Sequence, residues 1–588
     1  MSGDASSSAD LLPQILSRHA AQTPDALAFS FLERGEREGA RLTFRDLHLR
    51  ALSVMDDLML RNLGGRPVLL MYPPGLDYVA AFCGCLYAGA IAVPAPYFLP
   101  KRASERIAAI CRQAEPAAVL TLAELAEGEM EDPLLAGLGA LPWIATDLLV
   151  PGVTDGGPRA VAAGDPAFLQ FTSGSTRSPK GVTVSHGALV ANLEMIRQAF
   201  GHGPHTRMVS WLPMFHDMGL VGCVLQPIYL GVPSVLMSPL AFMQKPARWL
   251  RAVSEHRATT SGAPNFAYAF CAQNIRADQL EGVDLGCWDV AFCGAEPVRP
   301  ETLSRFAATF ASSGFRAGSL YPCYGLSEAT LFVSGGQAGQ GLCTVSIDAD
   351  ALAEGSEVRL AESSTASPRT LASSGRSWGA ERIAIVEPNG DHVVEPNRVG
   401  EICICGPHVA EGYWGRPEDG AQTFGAKLDG DAASWLRTGD LGFLLGGELY
   451  VTGRLKDVLI VRGAKHHPED IEASVARSHP VLQSGGGAAF VVDGAEDSSV
   501  VVLQEIDRHG VRDLDLAAVT RAAIGAVTEQ HGLRPDHLLL LRPGSLPRTT
   551  SGKVQRNRCR EAYLSGSLTA AVARARGPRP AAGGGARG

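Results

Sequence analysis

The chain has no excess of positive charge, and that absence removes nucleic acid from its expected partners. Lysine and arginine number 52 against 61 aspartates and glutamates, a formal net charge of −9, whereas nucleic-acid readers present basic surfaces. The amino-terminal stretch MSGDASSSADLLPQ has neither a basic region nor an apolar one, so it does not read as a secretory signal. The uncharged stretch Val79 to Leu99 is long enough to test as a membrane span, but it contains Gly84, Gly89, Pro94 and Pro96. Prolines so placed argue against one spanning helix; the segment reads as a buried helix to about Ala88, then a β-like IAVPAP. The 12 cysteines show no metal-ligand spacing. Cys83 and Cys85 fall on a small-residue helix, and Cys403 and Cys405 alternate along EICICG, so they read as buried small hydrophobes. That usage suits a reducing compartment, and the expected location is the cytoplasm.

What the chain does have is concentrated in residues 171–181, FTSGSTRSPKG. Small residues let backbone N–H groups approach an anion closely, while hydroxyls and a closing Lys180 add charge-assisted donors. PAFLQ before it and VTVSH after it are strand-like, which predicts a hairpin-like phosphate loop. A Walker A loop has a different glycine spacing and runs into a helix. At 588 residues the chain exceeds one ordinary core, so two or more domains are expected. After helices and short strands over about 10–160, apolar runs such as Pro233 to Met237 and Trp288 to Cys293 alternate with helical ones such as Pro246 to His256. That alternation predicts parallel α/β layers. From 381 the pattern turns β-rich in ERIAIVEP, GEICICG and GELYVTG. A smaller α/β unit follows, with a helix at Pro468 to Arg477, strands at Ala488 to Val492 and Val500 to Gln504, and a helix through Leu514 to His531. Beyond about 566 the Ala/Gly/Pro/Arg-rich composition predicts a disordered tail.

The phosphate loop resembles that of the adenylate-forming superfamily of acyl-CoA synthetases, luciferases and peptide-synthetase adenylation domains. Four further segments resemble the superfamily's motifs in the expected order: YGLSEAT (Tyr324 to Thr330), WLRTGDLG (Trp435 to Gly442), GRLKD (Gly453 to Asp457) and LPRTTSGKVQR (Leu546 to Arg556). The resemblance implies an α/β fold with a large multi-layered N-terminal adenylation domain over 1–455 and an insertion at about 335–375. A small, mobile α+β C-terminal lid domain would occupy 456–565, and the tail 566–588. It also implies ATP and Mg²⁺.

By the same resemblance, Thr172, Ser173, Gly174, Ser175, Thr176 and Lys180 handle the β,γ-phosphates. Arg177 stands where the superfamily more often has glycine, either as a further cation or as a solvent-facing side chain. Tyr324 offers an aromatic face to adenine, with Gly325 and Leu326 in the same nucleotide-binding set. Ser327 presents a hydroxyl to the α-phosphate, and Glu328 is a hard oxygen ligand for Mg²⁺. Gly294, Ala295 and Glu296 end a strand-like segment and line the adenine pocket. Asp440 accepts from both ribose hydroxyls, as an ionised carboxylate can, and Arg454 lies beside it. Lys553 reaches the acyl carboxylate and α-phosphate during adenylation. His216, in SWLPMFHDMGLVG, is either a satisfied core histidine or a gate that orients the carboxylate, and not a metal ligand. Arg548, Arg556, Arg558 and Arg560 make a basic cluster, a solvated face or a docking surface for an acidic carrier protein.

A finer resemblance is to the fatty acyl-AMP ligases that feed polyketide and nonribosomal peptide synthases. SWLPMFHDMGLVG, SGAPNFAYAFC with CGAEPVRPETL, PCYGLSEATLFVSGG and VRGAKHHPEDIE carry it. The branch implies a fatty acid substrate held near PNFAYAFC. It also implies transfer to the phosphopantetheine thiol of a holo acyl carrier protein on a separate chain, since no G-x-D-S-L-type attachment site occurs here. In that branch the insertion restrains interdomain motion and goes with poor use of free CoA; the plainer alternative is a surface loop. The competing readings are a long- or medium-chain acyl-CoA synthetase and a catalytically silent nucleotide-binding protein.

Overall fold

Val290–Cys293 (VAFC) and Ser234–Met237 (SVLM) are buried at every position, as strands covered on both faces must be. They lie in an eight-stranded sheet of the computed structural model. The model describes residues 10–96, 102–127, 138–150, 156–171, 179–348, 352, 355–362, 365, 368–461, 464–493, 498–507, 515–548, 554–568 and 571–576. The spatial order of that sheet is Phe332–Gly335, Leu320–Gly325, Val290–Cys293, Thr260–Ala263, Met208–Ser210, Ser234–Met237, Leu27–Glu33, Arg37–Thr43. Its inner pairs are parallel and its two outermost pairs antiparallel. A second sheet of seven strands has Pro67–Leu70 and Ile91–Pro94 at its parallel centre. Pro166–Phe171 and Gly181–Ser185 form an antiparallel pair there, with Gly412–Tyr413 beyond them.

One continuous core gathers side chains from both sheets and from the helices on them, among them Phe29, Val68, Phe168, Leu220 and Trp249. The segment tested as a membrane span is the helix Leu76–Ala88 followed by Ile91–Pro94. Gly84 on that helix lets it press against Phe44–Leu60, since a Cβ there would stand 2.4 Å from the Val54 Cβ. Among the described residues no helix is long and apolar enough to cross a membrane.

The β-rich region is a four-stranded antiparallel sheet, Arg382–Val386, Gly400–Cys405, Leu436–Leu445 and Glu448–Arg454. Against it packs a hairpin of Thr344–Asp348 with Pro368–Ala372, which shares a core of Ile347, Leu352 and Leu371 with Val399, Phe443 and Tyr450. A last sheet orders Leu482–Asp493, Ser498–Ile506, His537–Leu541 and Ala571–Arg576. The helices Pro468–Arg477 and Leu516–His531 supply Ile471, Val475, Val519 and Val527 to its own core. The final strand corrects the expected start of the tail. AVARAR alternates small apolar residues with arginines, a period-2 pattern that the composition averages away, and it pairs antiparallel with His537–Leu541. Residues 577–588 lie outside the described set.

Candidate active site

In open α/β sheets, ligands sit beyond the carboxyl ends of the parallel strands. Here those ends deliver Trp211 to Asp217, Pro264 and Asn265, Gly294 to Glu296, and Tyr324 to Glu328 to one cleft of about 3340 Å³. The antiparallel sheet adds Asp440 and Arg454 to the same cleft.

Asp440 is the best-fixed of these groups. It is buried, its Oδ2 accepts from the Tyr324 hydroxyl at 2.7 Å, and its Oδ1 accepts from Arg454 Nε at 2.9 Å. The Asp440 charge raises the Arg454 pKa, and burial raises that of Tyr324 well above the usual phenol range. Each carboxylate oxygen therefore keeps acceptor capacity for one further donor. Gly325 follows Tyr324 where no side chain fits, since a Cβ would meet the Leu331 carbonyl oxygen at 1.9 Å.

Ser327, Glu328 and Ala329 form one tight turn. The Ser327 hydroxyl donates to Asp217 Oδ2 at 2.5 Å, and the Glu328 carboxyl accepts from the Tyr413 hydroxyl at 2.9 Å. Burial raises the Glu328 pKa. The next residue, Thr330, has φ +67°, a strained conformation for a β-branched residue. It is held by its hydroxyl on the His408 carbonyl at 2.7 Å, while the Ala410 N–H donates to the Glu328 carbonyl at 2.9 Å. Among the described residues no cluster of three His, Cys, Asp or Glu side chains could cage a metal. The single carboxylate of Glu328 on the cleft wall fits Mg²⁺, which commonly takes one or two protein carboxylates and fills its shell with substrate oxygens and water.

Lys180 stands just before the strand Gly181–Ser185, paired with Asp419 at 3.2 Å and 4.5 Å above the Tyr413 ring. Thr172, Ser173, Gly174, Ser175, Thr176, Arg177 and Lys553 lie outside the described residues. His216 is half-buried on the cleft wall, its ring 5.0 Å from Phe215. Gly294 and Ala295 line the cleft, Ala295 with φ +67°. The Glu296 carboxylate accepts from the Phe266 N–H at 2.5 Å. It satisfies an amide at the start of the helix Asn265–Asn274, whose N-cap Pro264 offers no side-chain acceptor.

That helix divides PNFAYAFC between two faces. Phe266, Ala269 and Phe270 line the cleft, whereas Tyr268 is fully buried behind it with its hydroxyl on the Phe292 carbonyl at 2.8 Å. Trp211 stacks on Phe242 at 3.9 Å and meets Phe266 edge-on at 6.3 Å, so the cleft has an apolar arm beside its polar one.

Three arginines of the basic cluster turn inward. Arg548 pairs with buried Glu505 at 2.8 Å, and Arg560 donates to the Val491 carbonyl at 3.1 Å. Arg556 meets Asp457 at 2.6 Å and Glu469 and Glu472 at 3.0 Å each. Arg558 is exposed, so the four arginines do not form one common exposed face. The insertion reaches toward the same small unit: Arg369 pairs with Asp470 on Pro468–Arg477 at 2.9 Å and donates to the Thr452 carbonyl at 3.4 Å. Sequence reasoning missed Asp217 and Tyr413. Both stand in segments already singled out or adjoining them, HDMGL and AEGYWG, where an acid and an aromatic flank glycines.

A family model described as AMP-binding enzyme matches residues 16–414, and one described as Disco-interacting protein 2-like, AMP domain, matches 456–572. The medium-chain-fatty-acid–acyl-carrier-protein ligase JamA of Moorena producens is 40% identical over 551 residues, covering 92% of this chain and 93% of its own. A fatty acyl-adenylate ligase from Legionella pneumophila, solved with acyl adenylate and pyrophosphate, is 37% identical with a TM-score of 0.74, covering 96% of this chain and 98% of that one. A structure from a study of the Escherichia coli and Legionella pneumophila fatty acyl-adenylate ligases is 32% identical with a TM-score of 0.85, covering 95% and 98%. With identity of this order sustained along nearly the full length of each relative, the chain belongs to the AMP-binding enzymes, and within them to the fatty acyl-AMP ligases.

Proposed function

We infer that this protein activates a medium- or long-chain fatty acid with ATP and passes the acyl group to the phosphopantetheine thiol of a separate acyl carrier protein. The observation that carries the reading is one cleft with two kinds of wall. Asp440, Tyr324, Ser327 and Glu328 make a polar run of donors and acceptors suited to a nucleotide. Trp211, Phe266 and Phe270 make an aromatic arm suited to an alkyl chain. The ligase relative named for medium-chain fatty acid and acyl carrier protein, and the ligase solved with acyl adenylate, support both substrates.

In the first step a carboxylate oxygen of the fatty acid bonds to the α-phosphorus as the bond to pyrophosphate breaks. Asp440 holds the ribose, Tyr324 and Gly294 to Glu296 border the base, Lys180 and Thr172 to Thr176 take the leaving phosphates, and His216 orients the carboxylate. Lys553 stabilises charge between the carboxylate and the α-phosphate. Glu328, together with the phosphates, would hold Mg²⁺, which when bound would supply charge neutralisation for the leaving group. In the second step the carrier's thiol sulfur bonds to the acyl carbon, the bond from that carbon to the phosphate oxygen breaks, AMP leaves with the electron pair and the thiol proton passes to solvent. Residues 456–565 turn about Lys456 between the steps, and the 335–375 insertion limits that turn through Arg369 and Asp470.

Purified protein given fatty acid, ATP and Mg²⁺ is expected to accumulate acyl-AMP and to load a holo carrier protein, with little acyl-CoA when CoA is supplied instead. Mass spectrometry of the products decides it. Abundant acyl-CoA would replace this reading with the acyl-CoA synthetase one, and absence of fatty-acid-dependent pyrophosphate exchange would remove both.

A further inference from the structure

The 2.5 Å contact between Ser327 Oγ and Asp217 Oδ2 poses a question of proton supply. A serine hydroxyl has one hydrogen, and an ionised carboxylate has none. The hydrogen therefore lies toward Asp217, and Ser327 offers lone pairs to the cleft. A phosphate oxygen is also an acceptor only, so it bonds to Ser327 by taking that hydrogen from Asp217.

Both partners are fixed. Asp217 uses its other oxygen, Oδ1, on the Met218 N–H at 2.7 Å. The turn beneath it is closed by the His216 N–H on the Pro213 carbonyl at 3.1 Å and by Gly219, where a Cβ would stand 2.2 Å from the same carbonyl oxygen. The Ser327 carbonyl accepts from the Thr330 N–H at 2.9 Å. What remains variable is which acceptor takes the hydrogen. Exchanging one charge-assisted bond for another gains little, so Ser327 contributes little net affinity while the Asp217 carboxylate holds its hydrogen.

We propose that Asp217 is a positioning residue that competes with the nucleotide's α-phosphate for the Ser327 hydrogen and thereby weakens the hold on the adenylate and AMP. The proposal rests on Ser327 facing the α-phosphate, as in the functional reading above. It serves a two-step reaction, in which AMP must leave after every transfer.

Asp217→Asn tests it because the substitution reverses one bond at nearly constant shape. Asparagine has a single carbonyl, which stays on the Met218 N–H. Its NH₂ then faces Ser327, the hydroxyl oxygen accepts, and the hydrogen is released to the cleft. AMP binding by calorimetry is measured on the full chain as wild type, D217N, S327A and the double variant. D217N is expected to bind AMP about tenfold tighter than wild type, the scale of one charge-assisted hydrogen bond gained without one being broken. In the S327A background the gain is expected to shrink to within about twofold. A gain of equal size without the serine would mean simple removal of a negative charge and would overturn the proposal. So would AMP binding by D217N no tighter than wild type. If D217N does not fold, Asp217→Ala also frees the hydrogen and is expected to tighten AMP in the same serine-dependent way. Wild type that binds no AMP would overturn the functional reading itself, an outcome distinct from the others.

Discussion

Replacing Asp440 by asparagine separates nucleotide binding from every other property of the site. In the wild type, Tyr324 and Arg454 each occupy one carboxylate oxygen, at 2.7 and 2.9 Å, and leave one acceptor position per oxygen for the two ribose hydroxyls. Asparagine keeps one oxygen. Turned toward Tyr324, its NH₂ opposes the Arg454 donor; turned toward Arg454, its NH₂ meets the Tyr324 hydroxyl. Either way the negative charge and at least one ribose acceptor are lost. Hydrogen bonds to a charged group are worth about 1.5–3 kcal/mol, so the ATP requirement should rise by about 10- to 150-fold. The assay is fatty-acid-dependent pyrophosphate exchange with ATP titrated at saturating fatty acid, followed by the reverse titration. The fatty-acid KM should stay unchanged, and wild type should lose affinity for 2′-deoxy-ATP while the variant loses little more. An unchanged ATP KM, or a variant that still penalises the deoxynucleotide as strongly as wild type, would refute the ribose role.

Lys553→Ala should cut adenylation by about 10²–10³ while sparing transfer from supplied acyl-AMP, because the charge it stabilises develops in the first step; equal loss of both steps would remove that role. Arg369→Ala breaks the partly buried pair with Asp470, and acyl-CoA formation should rise about threefold with adenylation unchanged, the scale of a screened ion pair; no rise would leave the insertion without a latch. Stability should fall on the acid side. Burial pushes His186 and His202 down to about 4 and about 3, below the value near 6.5 of the unfolded chain. The unfolded state therefore binds more protons between those values. The contribution is complete above about pH 6.5 and shrinks as pH falls, by roughly 2 kcal/mol for each histidine at pH 5. Thermal melts against pH check it: His202→Gln should flatten the acid limb, and an unaltered slope would exclude His202 as a source.

Local patterns were legible wherever one stretch of sequence decides its own conformation. Pro468–Arg477 was readable to the residue because proline opens it, acids fill its first turn and an arginine its last. The strand containing Ala488 to Val492 was read short. It runs from Leu482 through a bulge at Gly485, φ +70°, and glycines there mimic a loop. The site's residues were visible as motifs, but their joining was not: Tyr324 and Asp440 bond across 116 residues. The basic cluster misled for the same reason. Its acids, Asp457, Glu469, Glu472 and Glu505, lie up to about a hundred residues upstream, and only the fold turns the arginines toward them. The insertion looked polar because its hairpin fully buries only a few side chains, Ile347, Leu371 and Ala372 among them, and leaves Thr344, Ser346, Pro368 and Thr370 exposed.

Tyr413 touches the Lys180 ammonium with its ring and the Glu328 carboxyl with its hydroxyl. It also sits on a two-residue strand paired with Gly181–Ser185, the strand that begins directly after Lys180. Lys180 and Glu328, to which the proposed function gives the outer phosphates and the metal, are thus neighbours through one side chain. Substitutions at Lys180 and Glu328 should not add: a double-mutant cycle would return a coupling energy that disappears once Tyr413 is leucine. The same arrangement constrains how this site can change over generations. On the proposed roles, a change of leaving group or of metal should call for compensation at the other end, because both residues share the tyrosine.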